Sequence, residues 1–260
     1  MKKNFLTLST TSLFVIFIFL LFPQLVLAKD TDTDNDGLSD VQEAYYFTDP
    51  NNPDTDLDGY LDGVEVEHNY SPHAPGAKMI YENDYDEDGL SDWHEMWFGS
   101  SIGEKDTDQD GQDDYTEAMV GHDPTSLNTE KRYDTTIVVD RTKQRLYYYV
   151  SKLKMFNFPV STGNPETETP HGEFAVSRKI EVKRYVGVDY DLPHVKWNME
   201  FKPGYYIHSA YWHNDFGKRT HSHGCVNLLE ENAKELYQYV DLGTSVHVIG
   251  ETPKHYQVEM

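Results

Sequence analysis

Four stretches of the chain share one spacing of aspartate, glycine and glutamate, and this repetition constrains the fold more than any other feature. Each stretch fits D-x-D-x-D-G-x-x-D-x-x-E, and the four begin at residues 32, 54, 84 and 106. A twelve-residue calcium loop needs this order, because carboxylates at positions 1, 3 and 5 wrap the ion, glycine at position 6 permits a sharp turn, and glutamate at position 12 closes the shell. A solvated acidic tail would not repeat glycine and glutamate in register. The pattern therefore predicts four calcium loops.

The predicted calcium ligands are the carboxylates at positions 1, 3, 5, 9 and 12 of each loop, with a backbone carbonyl at position 7. They are Asp32, Asp34, Asp36, Asp40, Glu43, Asp54, Asp56, Asp58, Asp62, Glu65, Asp84, Asp86, Asp88, Asp92, Glu95, Asp106, Asp108, Asp110, Asp114 and Glu117. Without metal these crowded carboxylates repel one another, so we expect structural calcium whose binding drives folding.

The loops fall into two pairs, since the first and second begin 22 residues apart and so do the third and fourth. Position 8, where EF-hands carry the apolar residue that pairs their loops, is mostly polar here. The segment resembles the thrombospondin type 3-like repeats of secreted bacterial proteins. Dockerins are a weaker match, because their loops end in aspartate and these end in glutamate.

Charge is concentrated in the repeats. Residues 30–125 contain 28 acidic and two basic side chains, whereas the whole chain carries a formal charge of −23. The remainder is therefore close to neutral, which favours a chain of two parts. The acidity excludes general binding to nucleic acids, whose phosphates would be repelled.

The amino terminus has the layout of a secretory signal. Lys2 and Lys3 precede an apolar run, and Val26 and Ala28 supply small residues at the positions that a signal peptidase inspects. We expect cleavage after Ala28 and a location outside the cytoplasmic membrane, secreted or in the cell envelope. The alternative is an uncleaved anchor, because the run approaches spanning length. Contact with a membrane is expected only in that case.

From residue 135 onward the pattern changes to short β-prone runs. Strands are predicted at 136–140, 145–150, 156–160, 172–177, 205–208 and 245–249, and one helix at 228–240. The second part is therefore expected to be a β-rich domain with few helices.

Cys225 is the only cysteine of the chain, and histidines 208, 213, 221 and 223 surround it in sequence. Asn227 is predicted to cap the following helix together with Glu230, which places the thiol just ahead of a helix N-terminus, where a thiolate is favoured. A thiolate beside an imidazole suits acyl transfer through a thioester. A buried apolar cysteine and a zinc site made by Cys225 and the histidines are the alternatives.

The residues Ile207-His208-Ser209, followed by Ser222-His223-Gly224-Cys225-Val226-Asn227, resemble the active-site signature of the L,D-transpeptidase (YkuD-like) family. The gap between the two segments is at the short limit of the family pattern. Further similar segments are 140–146, 159–163, 169–172 and 243–246. The resemblance implies a β-sandwich catalytic domain with few helices.

The resemblance also implies roles. Cys225 would be the nucleophile and His208 the general base, oriented through the backbone of Ser209. His223 and Gly224 would shape the oxyanion region, which Asn227 supports. The substrate would be a peptidoglycan stem tetrapeptide, from which D-alanine leaves. The thioester would pass to an amine, giving a 3→3 cross-link, or to water. Carbapenems typically acylate this family, and no organic cofactor is expected.

The predicted organisation is a signal peptide (1–28), an acidic calcium-binding module with short helices (29–126), a linker (127–132), the catalytic domain (133–251) and a tail (252–260). The expected partners are calcium and peptidoglycan stem peptides. Two other functions stay open. One is a calcium-dependent wall-binding or adhesion protein whose second domain only binds peptides, and the other is a zinc-dependent wall hydrolase.

Overall fold

A computed structural model describes residues 31–253 except 129, 131 and 189. The signal peptide expected at 1–28, its cleavage site and most of the expected tail lie outside the described residues. In the described part of the chain, no helix combines the length and the apolar character that crossing a membrane requires.

The acidic segment folds into four loops, each followed by a short helix. These helices are α1 (Asp40–Tyr46), α2 (Asp62–Glu67), α3 (Asp92–Phe98) and α4 (Asp114–Val120). Each begins at position 9 of its loop. Helices of six or seven residues are not stable alone in water, so loop and tertiary contacts must hold them. α3 and α4 end at Gly99 and Gly121, whose φ angles of 84° and 87° suit glycine.

Hydrogen bonds join the loops in pairs. The carboxylate of Asp36 in the first loop accepts from the backbone N–H of Gly63 in α2, at 3.0 Å. The carboxylate of Asp88 in the third loop accepts in the same way from Tyr115 in α4, at 2.9 Å. Both bonds run from position 5 of one loop to the first turn of the next helix. The two pairs are thus built alike.

The second half of the chain forms two sheets and one helix. The first sheet has the order β3-β2-β1-β9-β4 and the second has the order β5-β6-β7-β8. The strands are β1 (Thr135–Asp140), β2 (Arg145–Val150), β3 (Leu153–Pro159), β4 (Gly172–Ala175), β5 (Arg178–Val186), β6 (Asp191–Lys202), β7 (Tyr205–Ser209), β8 (Val226–Leu228) and β9 (Ser245–Ile249), and the helix is α5 (Glu230–Tyr239). The expected β-rich domain with few helices is confirmed.

One hydrophobic core joins both sheets and the last two repeats. Ile137 and Val139 of β1 are buried with Ile207 of β7 and Leu236 of α5. Leu90, Phe98 and Met119 of the repeats belong to the same cluster. Full burial of a side chain of this size stabilises the fold by roughly 1.5–3 kcal/mol. The repeats and the sandwich therefore share their apolar interior.

Tyr148 of β2 is the clearest link between the two parts. Its side chain is fully buried, and its hydroxyl donates a 2.7 Å hydrogen bond to the carbonyl of Met119 in α4. The rings of Tyr115 in α4 and Tyr239 in α5 lie edge to face, with centroids 5.7 Å apart. The fourth repeat is therefore fixed to the sandwich by polar and aromatic contacts.

One local feature was missed, and one local expectation was wrong. The hairpin formed by β5 and β6 was not predicted, because a register shift between Lys183 and Tyr185 interrupts its alternation of apolar and charged residues. Asn227 does not cap the helix. It lies in β8, since residues 226–228 pair in parallel with β7, and α5 begins at Glu230 with Leu229 as its N-cap.

Candidate active site and cation loops

The parallel pairing of β7 and β8 positions the central side chains of a pocket. His208 on β7 is the register partner of Asn227 on β8, and Cys225 directly precedes β8. The pocket has a volume of about 180 Å³. Its lining residues are Tyr185, Tyr190, Leu192, His208, Trp212, His221, Ser222, His223, Cys225 and Asn227. Two distant segments of the sequence thus bring an imidazole and the only thiol to one cavity.

His208 is held as a neutral base. Its side chain is buried, and Nδ1 lies 2.8 Å from the carbonyl oxygen of Ser209. A carbonyl only accepts, so Nδ1 carries the proton and the lone pair of Nε2 stays available. Burial lowers the pKa of His208 to about 4. At neutral pH this imidazole can accept a proton.

Cys225 is a thiol at neutral pH. Burial raises its pKa to about 11, although a hydrogen bond from the backbone of Tyr206 and the charge of Lys183 oppose the shift. The helix start expected directly after the thiol is not there, because α5 begins at Glu230 with Leu229 as its N-cap. Attack by this cysteine therefore requires removal of its proton at the moment of reaction.

The pKa of Cys225 predicts its alkylation rate. Between pH 7 and 10 the rate of modification by iodoacetamide is expected to rise about tenfold per pH unit, because only the thiolate reacts and the pKa lies near 11. In protein unfolded by denaturant, the rise should level off above about pH 8.5. Alkylation followed by intact-protein mass spectrometry reports on one site, since the chain has one cysteine. A plateau below pH 8 in the folded protein would contradict the raised pKa of Cys225.

The turn before Cys225 is closed by hydrogen bonds. The hydroxyl of Ser222 donates to the carbonyl of Cys225 and accepts from the N–H of Gly224 at 3.1 Å. Gly224 has a φ of 111°, and a Cβ there would lie 2.6 Å from the ring of Tyr205. Only glycine fits. The exposed ring of His223 stacks on Tyr190, with centroids 5.1 Å apart.

The histidines beside the pocket form contacts of their own. His221 pairs with Asp215 at 2.8 Å, and its ring stacks on His213 with centroids 4.3 Å apart. His213 Nε2 lies 3.3 Å from the amide of Asn227. Among the described residues, the side-chain groups that could hold a metal ion are four aspartate triplets, one in each acidic loop. The histidines around Cys225 do not form such a group.

Each acidic loop gathers carboxylates around one point. The aspartates at positions 1, 3 and 5 place one oxygen each within 4.8 Å of the others. The glutamates at position 12 are almost fully buried, and neither carboxylate oxygen of any of them has a hydrogen-bond partner. These glutamates are Glu43, Glu65, Glu95 and Glu117. Burial raises the pKa of Glu95 to about 10, with repulsion from Asp86 and Asp88 adding to the shift. Buried carboxylates without donors fit a divalent cation bound by oxygen ligands.

The aspartates at position 9 are placed differently from the other expected ligands. Both oxygens of Asp62 accept hydrogen bonds from Thr55, at 2.8 Å from its N–H and 2.6 Å from its hydroxyl. Asp114 is bound in the same way by Thr107. Asp40 is held by Thr33, whereas Asp92 accepts from Tyr85 and Asn83. These partners lie at position 2 of each loop, or directly before the loop in the case of Asn83. The position-9 aspartates therefore tie the start of each loop to the helix that follows it.

Sequence reasoning missed the part of the pocket wall that the hairpin of β5 and β6 supplies. Tyr185, Tyr190 and Leu192 come from the hairpin that was not predicted. The available signal was the alternation of apolar and charged residues before the bulge, from Arg178 to Lys183. Trp212, four residues after His208, also lines the pocket.

Two parts of the chain match known families. Residues 134–248 match the L,D-transpeptidase catalytic domain, and residues 32–53 and 54–69 match the bacterial TSP3 repeat. The matched repeats are those of the first pair of loops. The predicted resemblance to both families is confirmed.

Individual relatives cover part of the chain. It is 32% identical over 108 residues to L,D-transpeptidase 1 of Mycobacterium tuberculosis, a match that covers 35% of this chain and 41% of that protein. The chain thus spans less than half the length of this curated relative. Among solved structures, a cysteine-to-serine variant of Enterococcus faecium L,D-transpeptidase is 33% identical, with a TM-score of 0.42 over 45% of this chain and 50% of that one. An L,D-transpeptidase from Mycobacterium smegmatis is 26% identical, with a TM-score of 0.43 over 48% and 65%.

Proposed function

Residues 134–248 are an L,D-transpeptidase catalytic domain, and on that premise we propose that the chain is a cysteine-dependent L,D-transpeptidase that acts on peptidoglycan stem tetrapeptides. The observation that carries the proposal is the shared pocket of Cys225 and His208, in which the imidazole is neutral and its Nε2 is available. Peptidoglycan lies outside the cytoplasmic membrane. The proposal therefore includes export, for which the amino-terminal segment remains the predicted signal.

The proposed reaction begins with proton transfer. His208 Nε2 takes the proton of the Cys225 thiol while the sulfur attacks the carbonyl carbon of the third stem residue. The tetrahedral intermediate collapses, the bond to D-alanine breaks, and His208 returns the proton to the leaving amine. The Ser209 carbonyl keeps the imidazole in the required tautomer throughout. The acyl group is then held on Cys225 as a thioester.

The second half of the reaction reverses the roles. An amine of a neighbouring stem attacks the thioester and gives its proton to His208, which returns it to the departing sulfur. The product is a 3→3 cross-link. Water in place of the amine gives an L,D-carboxypeptidase product. We assign His223 and Gly224 to the region that receives the developing oxyanion, with Asn227 supporting it.

Turnover of a defined substrate tests this function. Calcium-loaded protein is incubated with a disaccharide tetrapeptide, and the products are separated and identified by mass spectrometry. We expect loss of the terminal D-alanine and formation of 3→3 dimers. Binding of the tetrapeptide without any turnover by folded protein would overturn the proposed activity and favour a wall-binding protein.

We also propose that each acidic loop holds one calcium ion through its aspartates at positions 1, 3 and 5, its carbonyl at position 7 and its glutamate at position 12. The buried, partnerless glutamate oxygens support this ligand set. The hydrogen bonds to the position-9 aspartates support a role for these residues in closing the loop. The metal would supply the positive charge that balances the crowded carboxylates and would thereby stabilise the loops.

Two variants of the second loop separate these roles. Glu65→Gln should remove one of four calcium sites, because the ion loses a bidentate anionic ligand. Asp62→Asn should keep four sites with a smaller loss of affinity, because the amide can still accept from the N–H of Thr55. Isothermal titration with calcium gives the number of sites. Equal loss of a site in both variants would show that Asp62 also ligates calcium.

A further inference from the structure

The hairpin that forms one wall of the pocket carries six lysine and arginine side chains, and three of them pair with a carboxylate. Arg178 pairs with Glu200 and Arg184 with Asp191, both on the neighbouring strand β6. On β6 itself, Lys196 pairs with Glu230. The side chains of these three cations are exposed to solvent, so the ion pairs contribute little to stability, but they give each cation a carboxylate partner.

The other three cations of the hairpin are Lys179, Lys183 and Lys202, and each lies over an aromatic ring. Of these three, only Lys183 packs on a ring that lines the pocket, that of Tyr185. The ammonium nitrogen of Lys183 lies 4.2 Å from the centroid of the Tyr185 ring and 5.1 Å from that of Tyr206. Within the described residues, no carboxylate forms an ion pair with it. The Glu200 carboxylate accepts from the N–H of Gly204 and pairs with Arg178. The hydrogen bond from Gly204 lowers the pKa of Glu200, and the charge of Lys183 adds to this shift without forming an ion pair. Lys183 is therefore half-buried with its charge facing aromatic rings.

The two rings that hold Lys183 belong to the surroundings of the active site. Tyr185 lines the pocket, and its ring centroid is 5.0 Å from that of His208. Its hydroxyl is fixed by a 2.9 Å hydrogen bond to Asn198, and burial raises the pKa of its phenol, so the ring is neutral. The charge of Lys183 reaches both reacting groups, since it acts on the pKa of Cys225 and on that of His208.

We propose that Lys183 binds a carboxylate of the acyl donor and thereby selects anionic stem peptides. The inference deepens the proposed function and rests on it. A stem tetrapeptide ends in the free carboxylate of D-alanine, one residue beyond the bond that Cys225 attacks. A diamino acid at the third position supplies a second candidate carboxylate. Aromatic rings hold an ammonium in place without neutralising it, which leaves it able to bind a ligand carboxylate.

The test measures the kinetics of several variants with each of three substrates. Steady-state kcat and KM are measured for wild type, Lys183→Met and Lys183→Arg with three donors. The first donor has both carboxylates free, the second has the terminal carboxylate converted to an amide, and the third has the side-chain carboxylate amidated. Arg184→Met is the matched control, because Arg184 lies on the same strand and is exposed and paired with Asp191.

For the unmodified donor, Lys183→Met should raise KM on the order of tenfold, as expected for loss of a charge-assisted bond, while kcat changes less than about threefold. Lys183→Arg should keep most of the affinity, and Arg184→Met should behave as wild type. With the donor whose recognised carboxylate is amidated, wild type and Lys183→Met should have equal KM. The donor that shows this equality identifies which carboxylate Lys183 binds.

Two results overturn the inference alone. One is wild-type kinetics for Lys183→Met, and the other is an equal loss with all three donors, which would show that Lys183 acts on the fold or on the thiol. Failure of the wild type to turn over any of the donors overturns the proposed function and the inference together.

Discussion

Replacement of Cys225 by alanine is expected to abolish covalent modification of the protein by a carbapenem and to reduce tetrapeptide turnover by at least about 10³-fold. The chain has no other thiol, and Cys225 shares its pocket with a neutral imidazole. Intact-protein mass spectrometry should show a single adduct on the wild type and none on Cys225→Ala. An adduct of equal yield on Cys225→Ala would assign the acylation to another side chain.

His208→Ala tests the other half of the pair. The thiol of Cys225 has a high pKa, so loss of the base should slow acylation by about 10²–10⁴-fold while the cysteine remains present. His171→Ala is the control, because His171 is exposed and does not line the pocket. Equal rates for both histidine variants would remove His208 from the proposed mechanism.

Removal of calcium is expected to destabilise the sandwich as well as the repeats. The fourth repeat contributes Met119 to the shared core and accepts the hydrogen bond of Tyr148. A site filled at 100 times its dissociation constant contributes about 2.7 kcal/mol to the free energy of unfolding, and chelation removes that contribution. The temperature at which enzymatic activity is lost should therefore fall on addition of chelator.

Two glutamate variants test which calcium loop stabilises the sandwich. Glu117→Gln disables the loop next to α4, whereas Glu65→Gln disables a loop whose helix, α2, contributes nothing to the shared core. Thermal inactivation, monitored by residual activity, should shift more in Glu117→Gln. Melting of the repeats with no change in the inactivation temperature of either variant would refute the coupling.

The features that could be predicted from the sequence are those encoded by neighbouring residues. Each acidic loop contains its own turn glycine and its own carboxylates, so a twelve-residue pattern is sufficient to find it. The segment from Ser222 to Asn227 is equally compact. The other part of the same signature, Ile207-His208-Ser209, is also a short run of neighbouring residues. The strand at 145–150 could be predicted to the residue, because it is an unbroken run of β-prone aromatic and aliphatic side chains after Arg145.

The features that could not be predicted depend on distant contacts. The register shift at Lys183 and the positive φ angles of His194 and Trp197 hide the long hairpin from any rule based on alternation. The pKa of Cys225 is set by desolvation in the folded chain, by the backbone of Tyr206 and by the charge of Lys183, and neither of these residues lies next to Cys225 in the sequence. The same holds for Asp62, whose oxygens are used by Thr55 although its position in the loop is that of a ligand.

The hydrogen bond between Tyr148 and Met119 crosses the boundary of the matched catalytic domain. The family match starts at residue 134, whereas the shared hydrophobic core reaches back into the third and fourth repeats. A fragment cut at this boundary keeps every catalytic side chain but leaves the phenol of Tyr148 without its nearer acceptor and the apolar surface under Leu90, Phe98 and Met119 open to water. The catalytic domain of this chain therefore shares its core with the repeats, and its limits cannot be drawn by homology alone.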